Sequence, residues 1–347
     1  MFAWMHATPW HWAGFILSVL FFLALDLGVF HRRAHVVRFR EALAWTALWV
    51  TLSLCFGLFL APILIADWGR PETVEFITGY VIELSLSMDN VFVIALIFAY
   101  FRVPARYQHR VLFWGILGAL VMRGLMIAAG ATLVSRFLWI LYVFGAFLVF
   151  TGLKMLFVSN EGVHPEKNPL LRLARKCFPV TTGFKGQRFV TRQQGRLALT
   201  PLALVLLVVE ATDLIFAVDS IPAIFAITTN PFIVFTSNVF AILGLRSLYF
   251  VLAGAIAYFR YLKVGLALVL VFVGCKMLLD PHRAPPAWYQ MTIPTGLSLL
   301  VVATIILAAI VVSVVVTHRE KKKANARART AGPGPGGAGS AGPSRPR

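Results

Sequence analysis

The chain is organised by long apolar runs set between short polar stretches. A helix needs about 20 consecutive, mostly apolar residues to cross the hydrocarbon core of a bilayer. Nine runs qualify as candidate spans, at about 12–30, 42–66, 74–101, 110–132, 137–158, 199–228, 232–259, 261–279 and 291–316. The first is expected to be retained rather than cleaved as a signal peptide. The segment from Met1 to Trp12 carries no Lys or Arg, and no small-residue cleavage site follows it.

Composition excludes the soluble alternatives. Of the 347 residues 59% are hydrophobic and 13% charged, with a mean hydropathy of +0.81. A soluble domain carries about 25% charged residues, and a disordered chain is poor in apolar ones. The net charge of +18 would suit a nucleic-acid binder, but its placement points elsewhere. Arg32, Arg33, Arg38 and Arg40, then Arg102, Arg106 and Arg110, fall on one side of the nine-span map. The basic residues of the long loop, Arg260, Lys263 and those of the tail fall on the same side. The opposite side holds only Arg70, Arg136 and Arg283. Cytoplasmic loops collect Lys and Arg, so the N-terminus is expected outside and the C-terminus in the cytoplasm, with no need for nucleic acid as a partner.

The expected fold is therefore an all-α polytopic membrane protein with nine transmembrane helices, the transmembrane domain covering 1–317. Residues 159–198 form a basic cytoplasmic loop with room for a short amphipathic helix. Residues 318–347 form a basic, Gly/Pro-rich cytoplasmic tail that is expected to be disordered. The HREKKK block at 318–323 reads as a stop-transfer anchor. Cys55, Cys177 and Cys275 are too widely spaced for a disulfide or metal pattern, and Cys55 and Cys275 are expected as small buried hydrophobes.

Three stretches recur in the same order. LSLSMDNVFVIALIF at 84–98 resembles DLIFAVDSIPAIFAI at 213–227, and GILGALVMR at 115–123 resembles FAILGLRSL at 240–248. FTGLKMLF at 150–157 matches FVGCKMLLD at 272–280. This gives two three-span repeats, spans 3–5 at about 74–158 and spans 6–8 at about 199–280. Three is odd, so the second repeat enters the membrane from the opposite side. Such inverted repeats place substrate near the midplane, between the halves.

Ionisable residues within the spans carry the chemistry: Asp26, Glu83, Asp89, Arg123, Lys154, Glu210, Asp213, Asp219, Arg246 and Lys276. The acids at the first span of each repeat, Glu83, Asp89, Glu210, Asp213 and Asp219, would together cost about 12–18 kcal/mol if uncompensated, which argues against an idle cluster. The repeat aligns Asp89-Asn90 with Asp219-Ser220, and Glu83 with Asp213. Six residues on a straight helix leave two carboxylates about 120° apart and about 9 Å along the axis, so neither pair converges unaided. Pro222 is expected to break the helix beside Asp219 and free carbonyls as ligands. With Ser85, Ser87, Asn90, Thr212 and Ser220 the donors are all oxygen, a set suited to hard cations such as Mg²⁺, Ca²⁺ or Mn²⁺. Arg123 and Arg246 are expected to pair with the acids. Lys154 and Lys276, near span ends, either pair or snorkel to the headgroups. Asp26, outside the repeats, is expected to be structural.

ELSLSMDNVFV at 83–93, VEATDLIFAVDSIPAIFAI at 209–227, GLKML and GCKML resemble the signature segments of the TerC family of integral membrane proteins, nearest the branch that includes the Alx protein. The resemblance spans roughly residues 10 to 317. It implies metal-ion transport, namely Mn²⁺ export across the bacterial inner membrane, with a historical link to tellurite resistance. Carried over by position, it implies a metal site of Glu83, Asp89, Asn90, Glu210, Asp213, Asp219 and Ser220. The expectation is thus a secondary transporter, not an enzyme and without a resident cofactor, exporting a hard divalent cation through carboxylates that can also exchange it for protons. No GxxxxGK[ST] loop is present to hydrolyse ATP. An intramembrane aspartyl protease lacks its GxGD motif here. A membrane scaffold or stress-response subunit acting through loop 159–198 is the remaining alternative.

Overall fold

Backbone amides and carbonyls have no water to bond in a bilayer core, so apolar runs of this length satisfy them internally as helices. The computed structural model describes residues 7–25, 39–157, 169–193, 195–253, 262–280 and 290–330. Asp26 and the tail beyond Thr330 lie outside the described residues. The helices are α1 (Pro9–Leu25), α2 (Phe39–Cys55), α3 (Ala61–Leu64), α4 (Arg70–Tyr100), α5 (Ala105–Arg136) and α6 (Ile140–Phe157). They continue as α7 (Pro169–Cys177), α8 (Pro201–Phe225), α9 (Pro231–Ala253), α10 (Leu262–Leu279) and α11 (Thr295–Thr330). A π turn at Phe56–Leu60 joins α2 to α3 as one 26-residue span. Eight helices are long and apolar enough to cross a membrane, and α1, with 17 residues, is a shorter apolar ninth. All nine fall on the predicted runs.

The burial pattern sorts the helices into centre and rim. In α9, 89% of the membrane-crossing stretch is buried, so this helix is the axis of the bundle. It packs on α4, α2 and α5, while α8 packs on α5 and α4. The closest pair is α6 with α10. A Cβ on Gly274 would stand 2.7 Å from the Gly145 carbonyl oxygen, and one on Gly152 would stand 2.8 Å from that of Ala267. These contacts require glycine and show the two helices running antiparallel. At the rim, α11 is only 17% buried, and large apolar side chains such as Leu125, Phe150 and Leu307 are exposed. Apolar exposure on that scale belongs to a lipid-facing surface. Cys55 and Cys275, expected inside, are exposed on these outward helix faces.

Three expectations need correcting or extending. α8 runs unbroken from Pro201 to Phe225 with Pro222 inside it, so the predicted break beside Asp219 is absent. Pro222 withdraws one N–H from the helix, but α8 continues three residues beyond it and Ala226 still donates to its carbonyl at 3.1 Å. The loop contains the amphipathic helix, α7, and also an unpredicted hairpin. Its strands β1 (Val190–Gln193) and β2 (Arg196–Leu199) are antiparallel, with Val190 opposite Leu199 and Gln193 opposite Arg196. Gly195, at φ +79°, supplies the left-handed residue of the two-residue turn. α11 carries on through the HREKKK block to Thr330, because no Gly or Pro interrupts the sequence before that point.

Candidate functional site

Near the middle of the bundle one buried guanidinium gathers groups from three neighbouring helices. Arg123 of α5 is 2% exposed. Its Nε and Nη2 donate side-on to Asp213 of α8, at 3.3 Å to Oδ2 and 3.1 Å to Oδ1. Its Nη1 donates to Glu83 Oε1 of α4, and to Ser220 Oγ at 3.3 Å and Asn238 Oδ1 of α9 at 3.4 Å. The Asn90 amide completes the set. Turned so that Oδ1 accepts from Arg123 Nη2 at 3.2 Å and Nδ2 donates to the Leu86 carbonyl at 3.3 Å, both its ends are satisfied. All five guanidinium donors then have acceptors. The charged groups of this knot are two carboxylates and one guanidinium.

Some of its atoms remain unpaired. Among the described residues Glu83 Oε2, Ser87 Oγ and Asn238 Nδ2 are buried without a hydrogen-bond partner. Removing a carboxylate oxygen from water without a partner is costly, so Glu83 retains capacity for another ligand or proton.

The other expected acids lie around the knot rather than in it. Asp89 and Asp219 are half-buried and within electrostatic reach of each other. Asp219 faces Thr151 and Lys154 of α6, and Asp89 faces Lys263 at the start of α10. Glu210, one turn before Asp213, presses its carboxylate against Gly118 of α5, where any Cβ would collide with it. Its Oε2 is buried and unpaired among the described residues. Among the described residues no three His, Cys, Asp or Glu side chains converge as a metal-holding group. The expected donors are thus neighbours, with Arg123 standing between the two most buried acids.

The expected cations have separate fates. Arg123 pairs with Glu83 and Asp213 as anticipated. Arg246 is buried within α9. Lys276 is 3% exposed, donates to the Ala226 carbonyl at 3.3 Å and lies 3.9 Å from Asp280 Oδ2. Lys154 is exposed. Sequence reasoning missed Asn238, the lone Asn of its span, and Glu75, which is half-buried beside Thr228 and within reach of Lys276. Glu75 lies inside the predicted span 74–101, so counting every acid in that span would have found it.

Comparison with known proteins follows the same segments. The description "Integral membrane protein TerC family" matches residues 68–322. An "Uncharacterized membrane protein STKORF319" of Myxococcus xanthus is 54% identical over 309 residues, covering 89% of this chain and 93% of that protein. A "Putative membrane-bound redox modulator Alx" of Escherichia coli K12 is 48% identical over 317 residues, covering 90% and 96%. An "Uncharacterized membrane protein" of Rickettsia bellii is 40% identical over 289 residues, covering 83% and 94%. No solved structure matches.

Proposed function

This chain belongs to the TerC family of integral membrane proteins, and from that membership we propose that it is a secondary transporter exporting a hard divalent cation, Mn²⁺ first among them, from the bacterial cytoplasm. The reading rests on one observation above the rest. Acid-bearing helices from the two halves of the chain, α4 and α8, turn carboxylates toward each other inside a bundle whose outer surface is apolar. Buried charge in a membrane is costly and marks ion pathways.

In this reading Asp89 and Asp219, half-buried and mutually in reach, receive the ion with Asn90 and Ser220 beside them. Glu83, Asp213 and Glu210 serve as deeper ligands or as proton carriers. Every donor is oxygen, which suits Mn²⁺, Mg²⁺ or Ca²⁺ over softer metals. Mn²⁺ is favoured by the family resemblance. The basic loops put the N-terminus outside and the C-terminus in the cytoplasm of an inner-membrane protein.

The inverted repeat belongs to the same proposal and draws on packing. Shifting by the 122 residues that separate Lys154 from Lys276 carries Gly145 onto Ala267 and Gly152 onto Gly274. The two close contacts of α6 with α10 thereby exchange with one another. Likewise α4 packs on α9 as α8 packs on α5. A two-fold axis in the membrane plane accounts for both.

The test is Mn²⁺ uptake into inside-out vesicles at matched expression. Wild-type uptake that Asp89→Ala and Asp219→Ala each abolish supports the transporter. Uptake at background in all three proteins, for Mn²⁺ and then for Ca²⁺, contradicts it. The scaffold alternative draws on the folded unit of α7 and the hairpin, and predicts instead that replacing the exposed Arg175 and Lys176 removes the cellular phenotype while leaving flux intact.

A further inference from the structure

The geometry around Arg123 points to a role beyond pairing. We propose that Arg123 is a tethered internal cation that occupies the Glu83 and Asp213 carboxylates when no metal is bound, and that an entering divalent cation has to displace it. This rests on the transporter reading and adds to it the group that keeps binding reversible.

Asp213 accepts from Arg123 through both oxygens, and Glu83 through Oε1. A divalent cation bridging these acids would take the same oxygens and meet a positive charge in direct contact. Guanidinium and metal therefore exclude each other. Of the oxygens of these two acids, Glu83 Oε2 is the one buried and unpaired among the described residues, and it offers an ion arriving from Asp89 and Asp219 its foothold in the knot.

Displacement also needs somewhere for the guanidinium to go. Arg stays charged at any relevant pH, so it cannot escape by losing a proton. Three neutral acceptors already touch it: Ser220 Oγ, Asn238 Oδ1 and the Asn90 amide. They come from α8, α9 and α4, so a small swing of one side chain exchanges carboxylates for neutral oxygens without opening the bundle. The acids hold the guanidinium in the metal-free state, and its return expels the ion. Without such a competitor, two carboxylates in a medium of low dielectric would hold a divalent cation too tightly to release it.

A merely structural guanidinium predicts the opposite sign in a binding experiment, which makes the idea testable on purified full-length protein in detergent. Mn²⁺ binding would be measured by calorimetry for the wild type, Arg123→Ala and Arg123→Lys. Displacement predicts tighter binding, at least tenfold for Arg123→Ala and about threefold for Arg123→Lys, whose point charge cannot span both acids. It further predicts that millimolar guanidinium weakens Mn²⁺ binding in Arg123→Ala, and leaves the wild type unchanged at equal ionic strength. Arg123→Lys keeps the charge and serves as the deciding variant should Arg123→Ala fail to fold. Wild-type binding with equal or weaker binding in Arg123→Lys overturns the tethered cation alone. No Mn²⁺ binding in wild type or variants overturns the transporter reading, and the tether with it.

Discussion

Lys154 and Lys276 occupy the same place in two matching stretches, FTGLKMLF and FVGCKMLL, yet the fold treats them oppositely. Lys276 of α10 is buried against the C-terminal end of α8, bonded to the Ala226 carbonyl, near Asp280, and within reach of the half-buried Glu75. Lys154 is exposed, with Asp219 as its acidic neighbour. Matching sequence places a lysine on its helix, but the neighbouring helices decide its surroundings. One end of the bundle thus holds a buried ammonium, and at the other end the matching lysine is exposed.

Arg123 lies between these ends and holds both halves, so its loss should have the largest effect. Arg123→Ala leaves Glu83 and Asp213 buried and unpaired, and should lower stability in the absence of metal by about 3–5 kcal/mol, read as unfolding in detergent. Added Mn²⁺ should recover part of that loss, because a ligand that binds only the folded state stabilises it. The α6–α10 contact comes next. Gly274→Ala drives a methyl group into the Gly145 carbonyl and should cost about 1–3 kcal/mol.

The two lysines sharpen the comparison directly. Lys276→Met leaves the Ala226 carbonyl without this donor and should cost about 1–3 kcal/mol. Lys154→Met, on an exposed position, should stay within about 0.5 kcal/mol. Equal losses in both would show that the two ends are fastened alike. The smallest stability effect belongs to the loop, where Arg175→Gln should leave unfolding unchanged, since α7 is anchored through the buried Leu171.

The spans were readable because a bilayer imposes a length and a polarity that no other environment demands together. The pairing of Arg123 with the acids was readable for the same reason, since a mid-span arginine cannot snorkel and must find carboxylates. Three features escaped. Pro222 was expected to break α8, yet the helix absorbs one missing N–H and runs on to Phe225. The hairpin at 190–199 is too short and polar to stand out in a basic loop, and it is held by packing beside α8 and by backbone bonds between Leu199 and the Pro179–Thr181 stretch. The division of the acids into a knot (Glu83, Asp213) and a rim (Asp89, Asp219, Glu210) depends on helix rotation and tilt. Six-residue spacing on each helix says that the carboxylates diverge, but not which of them the arginine will take.

The central claim is that these acids conduct a divalent cation, and the most direct measurement uses purified protein alone in liposomes enclosing a Mn²⁺-quenched dye. Wild-type protein should quench the dye on Mn²⁺ addition, while Asp219→Asn, of nearly the same size and without the charge, should reduce the rate at least tenfold. Quenching at the same rate in both, or in neither above protein-free liposomes, would contradict the account.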